Sequence, residues 1–191
     1  MFQLLISSDE LAQHIDTVQL LDCRAKLGDA AWGANAFLRG HITGARHLDL
    51  DTVLSVAPNE HGRHPLPTQQ QWLNQVRALG LRNDAQIVVY DDAGGSFAAR
   101  AWWMLRLFGH DKVSVLDGGL KSWLAISGAT ESGLNTTPTD RGAFTVRKSA
   151  GAQMISITSL RQLVKQDVAG QIADARSPGR FAGTDPEPRA G

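Results

Sequence analysis

The chain begins to repeat its own opening pattern after about residue 151, and this repeat limits the folds that it can adopt. An apolar stretch near the amino terminus ends in Leu20-Leu21-Asp22-Cys23-Arg24, and a matching stretch ends in Ile172-Ala173-Asp174-Ala175-Arg176. The segment Ile157-Thr158-Ser159-Leu160 likewise resembles the helix-opening segment Ile6-Ser7-Ser8. Internal similarity of this kind predicts two domains of the same architecture.

The composition between the two copies is typical of a linker. Residues 132–139 are mostly small and polar, with glycine and proline among them. We therefore predict a first domain over residues 1–131, an interdomain linker over 132–151 and the start of a second domain over 152–191. The second copy stops before its counterpart of the first copy's later elements, so we expect it to be incomplete. About 40 residues cannot close a parallel-sheet core alone. We expect this segment to dock on the remainder of the second domain as a separate or cleaved piece, on a neighbouring copy, or on the first domain.

Short strands and helices alternate along the first copy. The apolar, β-branched run Ile87-Val88-Val89-Tyr90 is typical of a strand that is covered on both faces. Capping-box spacing at Ser7 and Glu10, and again at Thr68 and Gln71, predicts the starts of two helices. Strands that alternate with helices at short spacing predict an α/β fold with a mainly parallel sheet flanked by helices.

The charge balance and the single cysteine exclude several classes of protein. Lysine plus arginine and aspartate plus glutamate number 19 each, which gives no reason to expect a nucleic acid or an acidic membrane as partner. Cys23 is the sole cysteine, so an intrachain disulfide is impossible. No apolar run approaches the roughly 18 residues of a membrane span, and the amino terminus lacks the pattern of a secretory signal. These features predict a cytoplasmic protein.

Several motifs together resemble those of the tandem-domain rhodanese and 3-mercaptopyruvate sulfurtransferase family. Asp22-Cys23-Arg24, followed by Gly40-His41-Ile42-Thr43-Gly44-Ala45, resembles the first rhodanese signature, with Thr43 where the family usually has proline. Residues 100–110 and 113–123 are similar to the first domain of tandem rhodaneses, and residues 174–189 resemble the start of their second domain. The resemblance implies a rhodanese-like domain with a mainly parallel five-stranded sheet, plus the beginning of a second such domain.

The resemblance also implies an activity. Members of the family transfer a sulfane sulfur from 3-mercaptopyruvate or thiosulfate to a thiol such as thioredoxin, or to cyanide, through a cysteine persulfide, without a metal or cofactor. That cysteine would follow Gly191, so we expect this chain alone to be inactive and the remainder of the second domain to be its partner. A non-catalytic rhodanese-like binding or regulatory module is the alternative. A cysteine phosphatase would need a cysteine and an arginine around the loop after the central strand, which has neither.

In the first domain, the loop that matches the family's cysteine loop is Asp91-Asp92-Ala93-Gly94-Gly95-Ser96. Asp91 stands where the resemblance places the cysteine, and a carboxylate cannot accept sulfur, so the first domain is expected to be non-catalytic. We interpret Asp91 as the amino-terminal cap of the next helix. Cys23 lies at the end of a strand without such a loop, and we interpret it as a small buried cysteine.

Two arginines are candidates for binding the sulfur donor. By resemblance, Arg180 matches an arginine that binds the anionic donor, and Arg189 matches a second one that is typical of the mercaptopyruvate branch. Two guanidinium groups can hold the carboxylate and the ketone oxygen of a 2-oxo acid, so the pair favours mercaptopyruvate. A surface ion pair with Asp185 or Glu187 would be the structural explanation of either arginine.

A possible proton relay is the last candidate site. By resemblance, His64 and Asp51 match a histidine and an acidic residue that the first domain directs toward the second, although Asp49 competes for the acidic position. A histidine exchanges protons near neutral pH and could serve such a relay. A loop histidine that binds backbone groups is the alternative. We interpret His41 and His47 as structural.

Overall fold

The computed structural model describes residues 4–60, 62–134, 142–148, 151, 153–166 and 170–185. The chain divides into two compact units, Met1–Ala152 and Gln153–Gly191. The strands of the first unit are β1 Leu5–Ile6, β2 Val18–Asp22, β3 His41–Ile42, β4 Arg46–His47, β5 Gln86–Tyr90, β6 Val113–Leu116 and β7 Thr130–Glu131. Its α-helices are α1 Ser8–His14, α2 Trp32–Arg39, α3 Gln69–Ala78, α4 Ser96–Leu107 and α5 Gly119–Ala125.

Five of these strands form one parallel sheet in the order β1-β6-β5-β2-β4. The two central strands, β2 and β5, pair over their full lengths from Val18 with Gln86 to Asp22 with Tyr90. β3 and β7 form a separate antiparallel pair. The predicted α/β architecture with a five-stranded parallel sheet is therefore confirmed. The carboxyl ends of all five strands meet at one edge, where catalytic loops of such sheets are found.

The sheet is covered on both faces, as the run in β5 predicts. Ile87 and Val89 pack on one side with Trp72 and Met104, whereas Val88 packs on the other side. That second cluster also contains large side chains from three elements, Leu11, Tyr90 and Trp123. The core thus consists of two apolar layers on either side of one sheet. Within the described part of the chain, no helix has the length and apolar character required to cross a bilayer.

The two predicted helix starts are present. Thr68 and Gln71 form a complete capping box ahead of α3, in which each side chain binds the backbone of the other residue. At α1, the Ser7 hydroxyl accepts a hydrogen bond from the Glu10 amide. Both helices therefore begin at the residues that their capping patterns indicate.

The rhodanese-type signature residues form one buried network. The Asp22 carboxylate accepts hydrogen bonds from the Arg24 guanidinium at 2.7–3.0 Å and from the Tyr90 hydroxyl at 3.0 Å. Arg24 also donates to the Gly40 carbonyl, and the Tyr90 oxygen accepts from the Ile42 amide. Burial, together with the Asp22 carboxylate, raises the pKa of the Tyr90 phenol. The network ties β2, β3 and β5 together at the carboxyl edge, so these residues serve the framework.

His41 and His47 also belong to the framework. His41 is fully buried, stacks on Phe37 with ring centroids 3.6 Å apart, and donates from Nδ1 to the Phe37 carbonyl. Its Nε2 lies 3.3 Å from the Glu131 carboxylate on β7. His47 is half-buried, with its Nε2 3.5 Å from the Arg24 carbonyl. Neither imidazole is placed to serve as an exposed acid or base.

Part of the predicted linker packs tightly on the first unit. Residues 142–148 contain no helix or strand, and we call this segment the strap. Its Gly142 amide donates to the Arg77 carbonyl of α3, and its Arg147 amide donates to the carbonyl of Phe108, which follows α4. The Phe144 ring is fully buried in the core, its carbonyl accepts from Arg77 at 2.8 Å, and the Asn83 amide pairs with both backbone groups of Thr145. The composition of residues 132–139 is typical of a loose connection, but the apolar Phe144 that follows supplies an anchor.

His110, which contacts the strap, gives a pH-dependent prediction. Its ring is buried 5.7 Å from the Phe144 ring, and its Nε2–H donates to the Lys112 carbonyl. Burial lowers the pKa of His110, and Lys112 and Arg147 lower it further, against the opposing effects of the Lys112 carbonyl and Asp111. Because the depressed pKa belongs to the folded state, its stabilising contribution is complete above the unfolded value, about 6.5, and is lost as the pH falls.

We therefore expect the free energy of unfolding to fall below pH 6.5 by at most about 1.4 kcal/mol per pH unit from this group. Urea denaturation followed by tryptophan fluorescence at pH 7.5, 6.5 and 5.5 measures the effect. The His110→Gln variant should lose this part of the pH dependence, whereas His14→Gln on the exposed face of α1 should retain it. Equal pH dependence in His110→Gln and the unsubstituted chain would contradict the assignment.

Candidate functional site

The loop between β5 and α4 folds around the Asp91 side chain. Asp91 is buried, and its carboxylate accepts four backbone hydrogen bonds. Oδ1 accepts from the amides of Ala93 and Gly95 at 2.9 and 2.8 Å, and Oδ2 accepts from those of Phe97 and Ala98 at 2.8 and 2.9 Å. Four amides at the start of α4 therefore converge on one point, and a negative charge of the chain itself occupies that point.

Glycines make this arrangement possible. Gly94 and Gly95 adopt φ values of +68° and +87°, a region that disfavours residues with a Cβ atom. Gly95 is the residue that formally precedes α4 and offers no side chain to cap it. Asp91, four residues before Gly95, caps the helix instead, because its Oδ2 accepts from the Phe97 and Ala98 amides. The predicted capping role of Asp91 is therefore present, although Asp91 is not the residue next to the helix.

A cleft of about 720 Å³ opens beside this loop at the carboxyl edge of the sheet. Apolar groups of β1, α4 and β6, among them Leu5, Trp102 and Val115, form most of its lining. The charged residues of the lining are Asp92, Asp117 and Lys121. Partial burial raises the pKa of Asp92. Two carboxylates against one ammonium group make the cleft unfavourable for an anionic sulfur donor.

Cys23 is not placed to react. Its side chain is fully buried, and burial raises the pKa of its thiol well above the ordinary value, with further contributions from Asp22 and Asp91. Its Sγ lies 3.8 Å from the Leu21 carbonyl, to which a thiol can donate. Because the thiolate is the nucleophilic form, a buried thiol of this kind is inert. The interpretation of Cys23 as a small core residue is confirmed.

The structure brings Asp51 and His64 together. The Asp51 Oδ1 atom lies 3.5 Å from the His64 Nε2 atom, and both side chains reach solvent, with exposed fractions of 44% and 24%. Asp49 does not compete for the histidine, because its Oδ1 accepts from the Asp51 amide and from the amide and hydroxyl of Thr52. Asp49 thus shapes the turn, and Asp51 is the acidic residue that faces His64.

Arg100 on α4 is a site residue that sequence reasoning missed. Its Nε donates to the Leu54 carbonyl at 3.0 Å, and its Nη2 donates to the His64 carbonyl at 2.8 Å. The arginine therefore connects the two ends of the loop that carries His64. The partners of Arg100 are backbone carbonyls, which leave no pattern in the sequence, so its role could not be predicted there.

The second unit repeats the aspartate–arginine ion pair of the first unit. The guanidinium of Arg176 donates to the Asp174 carboxylate at 2.8–3.1 Å, and its amide donates to Asp174 Oδ1 at 2.9 Å. The Asp22–Arg24 pair has the same set of contacts, with its amide at 3.0 Å. In the second unit this pair is solvent-exposed, and the hydrogen bonds from Arg176 lower the pKa of Asp174.

The helices of the second unit, α6 Ile157–Lys165 and α7 Pro178–Ala182, correct the predicted register of the repeat. The Ser156 hydroxyl caps α6 by accepting from the Ser159 amide, as Ser7 caps α1. Ser156 therefore corresponds to Ser7, and the counterpart of Ile6 is Ile155 rather than Ile157. Isoleucines lie on both sides of Ser156, so the two registers look alike in the sequence.

The structure describes one of the two predicted donor-binding arginines, Arg180. Arg180 lies in α7, where its amide donates to the Ser177 hydroxyl at 3.4 Å and its side chain is half-exposed. Arg189 lies outside the described residues, so its pairing with Arg180 stays a prediction. Among the described residues, no group of three or more histidine, cysteine, aspartate or glutamate side chains could hold a metal ion.

Comparison with known proteins agrees with the fold and the signature network. The sequence profile of the rhodanese-like domain matches residues 7–126. The chain is 39% identical over 184 residues to a Pseudomonas aeruginosa protein named "Probable 3-mercaptopyruvate sulfurtransferase", covering 94% of this chain and 63% of the relative. It is 35% identical over 193 residues to the 3-mercaptopyruvate sulfurtransferase of Escherichia coli K12, covering 97% and 66%.

A solved structure is similar along almost the whole chain. The crystal structure of SseA from Escherichia coli, described among "3-mercaptopyruvate sulfotransferases", superposes with a TM-score of 0.81 at 32% identity, covering 98% of this chain and 71% of that one. The chain therefore belongs to the rhodanese family. Relatives that it matches carry the names 3-mercaptopyruvate sulfurtransferase and thiosulfate sulfurtransferase. The chain spans just under two thirds of the length of the curated relatives it matches.

Proposed function

We propose that this chain supplies the first domain and part of the second domain of a sulfurtransferase. The enzyme would move sulfur from 3-mercaptopyruvate or thiosulfate to a thiol such as thioredoxin, or to cyanide. The observation that carries the proposal is the buried Asp22–Arg24 pair of the rhodanese signature, because Asp174 and Arg176 repeat its contacts in the second unit. In the first unit, the Asp91 carboxylate occupies the amide cradle at the start of α4, so this loop holds no reacting cysteine. The reacting cysteine is then assigned to the second domain, after Gly191.

The proposed reaction balances without a cofactor. A cysteine thiolate attacks the sulfur of mercaptopyruvate, an S–S bond forms, and the C–S bond breaks. The electron pair of that bond leaves with the carbon as the enolate of pyruvate, which then takes up a proton. An acceptor thiolate or cyanide next attacks the outer sulfur of the persulfide and restores the cysteine thiolate.

Asp51 and His64 are proposed to take part in the proton transfer of the first step. Histidine can exchange protons near neutral pH, and the Asp51 carboxylate 3.5 Å from Nε2 would orient the ring. The exposure of both side chains leaves them open to a second domain. Arg180, together with Arg189, is proposed to hold the carboxylate and ketone oxygen of the donor through paired hydrogen bonds.

An activity assay tests the proposal. The protein extended through the cysteine loop of its second domain should transfer sulfur from mercaptopyruvate, and the 191-residue chain should not.

Arg180→Ala should raise KM for mercaptopyruvate about 10-fold or more, from the loss of a charge-assisted hydrogen bond. His64→Gln should lower kcat about 100-fold, the scale of general acid–base catalysis.

The controls distinguish a specific effect from a loss of structure. His14→Gln removes another histidine, on α1, and should leave both constants unchanged. Activity that survives replacement of the second-domain cysteine by serine would contradict the persulfide mechanism. So would turnover by the 191-residue chain that depends on Cys23.

A non-catalytic binding or regulatory module is the second candidate. The filled Asp91 cradle favours it for the first unit taken alone. A parent reading frame that ends at Gly191, or that continues without a cysteine-containing loop, would select this candidate over the enzyme.

A further inference from the structure

Asp51 and His64 stand at opposite ends of a long loop, so something must hold those ends in register. Asp51 lies in the turn that Asp49 organises, and His64 follows a tight turn in which the backbone groups of Asn59 and Gly62 bind each other. A backbone hydrogen bond from the Val56 amide to the Pro65 carbonyl at 3.1 Å closes the base of this loop.

Arg100 adds a side-chain connection between the two ends of the loop. Its guanidinium spans from the Leu54 carbonyl to the His64 carbonyl, which belong to opposite ends of the loop. A planar guanidinium donates in two fixed directions, whereas a lysine ammonium offers no such geometry. The contact with the carbonyl of His64 itself fixes the backbone from which the imidazole extends toward Asp51.

The charge of Arg100 is unusual for its location. The side chain is half-buried, and none of the described carboxylates lies within ion-pairing distance of its guanidinium. Burial accordingly lowers the pKa of Arg100. A cation that is desolvated and bound by neutral carbonyls is costly, and such cost is tolerated where fixed geometry is needed. Arg106, six residues later on the same helix, shows the ordinary alternative, since it lies over Trp102 and within 3.8 Å of Asp111.

We propose that Arg100 is a positioning residue that holds His64 against Asp51. It acts through the loop backbone and is not itself a group that touches the reacting atoms. This inference rests on the relay role proposed for Asp51 and His64.

The test uses the 191-residue chain and needs no enzymatic activity. The imidazole ¹⁵N chemical shifts of His64, assigned with His64→Gln, are measured by NMR before and after Asp51→Asn. In the unsubstituted chain, loss of the carboxylate should shift the His64 signals. In Arg100→Ala, the same Asp51→Asn change should produce less than half of that shift, because the pair is no longer held together.

Variants of the arginine give a graded comparison. Arg100→Lys should give an intermediate response, because one ammonium group can reach one of the two carbonyls. Arg106→Ala, on the same helix, should retain the full response. Hydrogen exchange of the Val56 amide should accelerate about 10-fold or more in Arg100→Ala, the loss expected for a charge-assisted hydrogen bond, while the amides of β5 remain protected. Arg100→Gln, which keeps one donor, replaces Arg100→Ala if the latter does not fold.

The outcomes separate the two hypotheses. A full Asp51→Asn response in Arg100→Ala overturns the role of Arg100 and leaves the Asp51–His64 pair intact. No response in the unsubstituted chain overturns the pair, and the role of Arg100 with it. Exchange that accelerates in β5 and β6 as much as at Val56 would make Arg100 a general structural residue and would also overturn the inference.

Discussion

Replacement of Asp91 by alanine is expected to destabilise the first unit by about 3 kcal/mol. The carboxylate accepts four backbone hydrogen bonds at 2.8–2.9 Å, and its removal leaves four amides at the start of α4 without their acceptor. Hydrogen bonds to a charged group contribute about 1.5–3 kcal/mol, and water that enters the emptied space offsets part of the combined loss. Urea denaturation followed by tryptophan fluorescence measures the change, because all five tryptophans lie in this unit.

Two matched variants make the result specific to the cradle. Asp92→Ala removes an exposed carboxylate one position later and should change stability by no more than about 0.5 kcal/mol. Asp91→Asn should fall between the two, because its amide oxygen can accept while its NH₂ group meets other donors. If Asp91→Ala and Asp92→Ala have the same stability, the four hydrogen bonds do not contribute as their geometry indicates.

Replacement of Phe144 by alanine is expected to cost about 3–5 kcal/mol, the range for a large aromatic side chain in a packed core. The ring is fully buried in the same cluster as Trp72 and Phe108, although the residue lies within the predicted linker. The same denaturation experiment measures the loss. We also expect faster hydrogen exchange at Thr145 and Arg147, whose amides bind the Asn83 side chain and the Phe108 carbonyl.

The control for the strap is Leu134→Ala. Leu134 is also a large apolar residue in the predicted linker, but it is 84% exposed. Its replacement should change stability by no more than about 0.5 kcal/mol. A similar small effect for Phe144→Ala would mean that the strap rests on the unit without stabilising it.

Much of the fold could be predicted because its signals are local. The continuous apolar run of β5, the capping box of α3 and the alternation of strands with helices each depend on a few neighbouring residues. The strap could not be predicted in the same way. Its anchor is Phe144, which packs in one cluster with Trp72 and Phe108 from distant parts of the chain. The composition of the surrounding linker carries no information about those partners.

The candidate site likewise contains residues that the sequence could predict and residues that depend on contacts between distant parts of the chain. A resemblance predicts Asp51 and His64, but the sequence cannot decide between Asp49 and Asp51. The choice depends on which carboxylate accepts the hydrogen bonds of the turn, and that carboxylate is Asp49. Arg100 was missed since its partners are backbone carbonyls, which every residue possesses. The register of the repeat was wrong by two residues because the decisive feature is which serine caps α6.

The burial of Cys23 has a practical consequence for chemical work on this protein. A thiol that is enclosed in the core and whose pKa is raised should be nearly inert toward electrophiles such as iodoacetamide while the fold is intact. Alkylating reagents should therefore label the folded first unit very slowly. Any rapid labelling of an extended protein would report on thiols contributed by the rest of its sequence, and the onset of labelling in the 191-residue chain would report its unfolding.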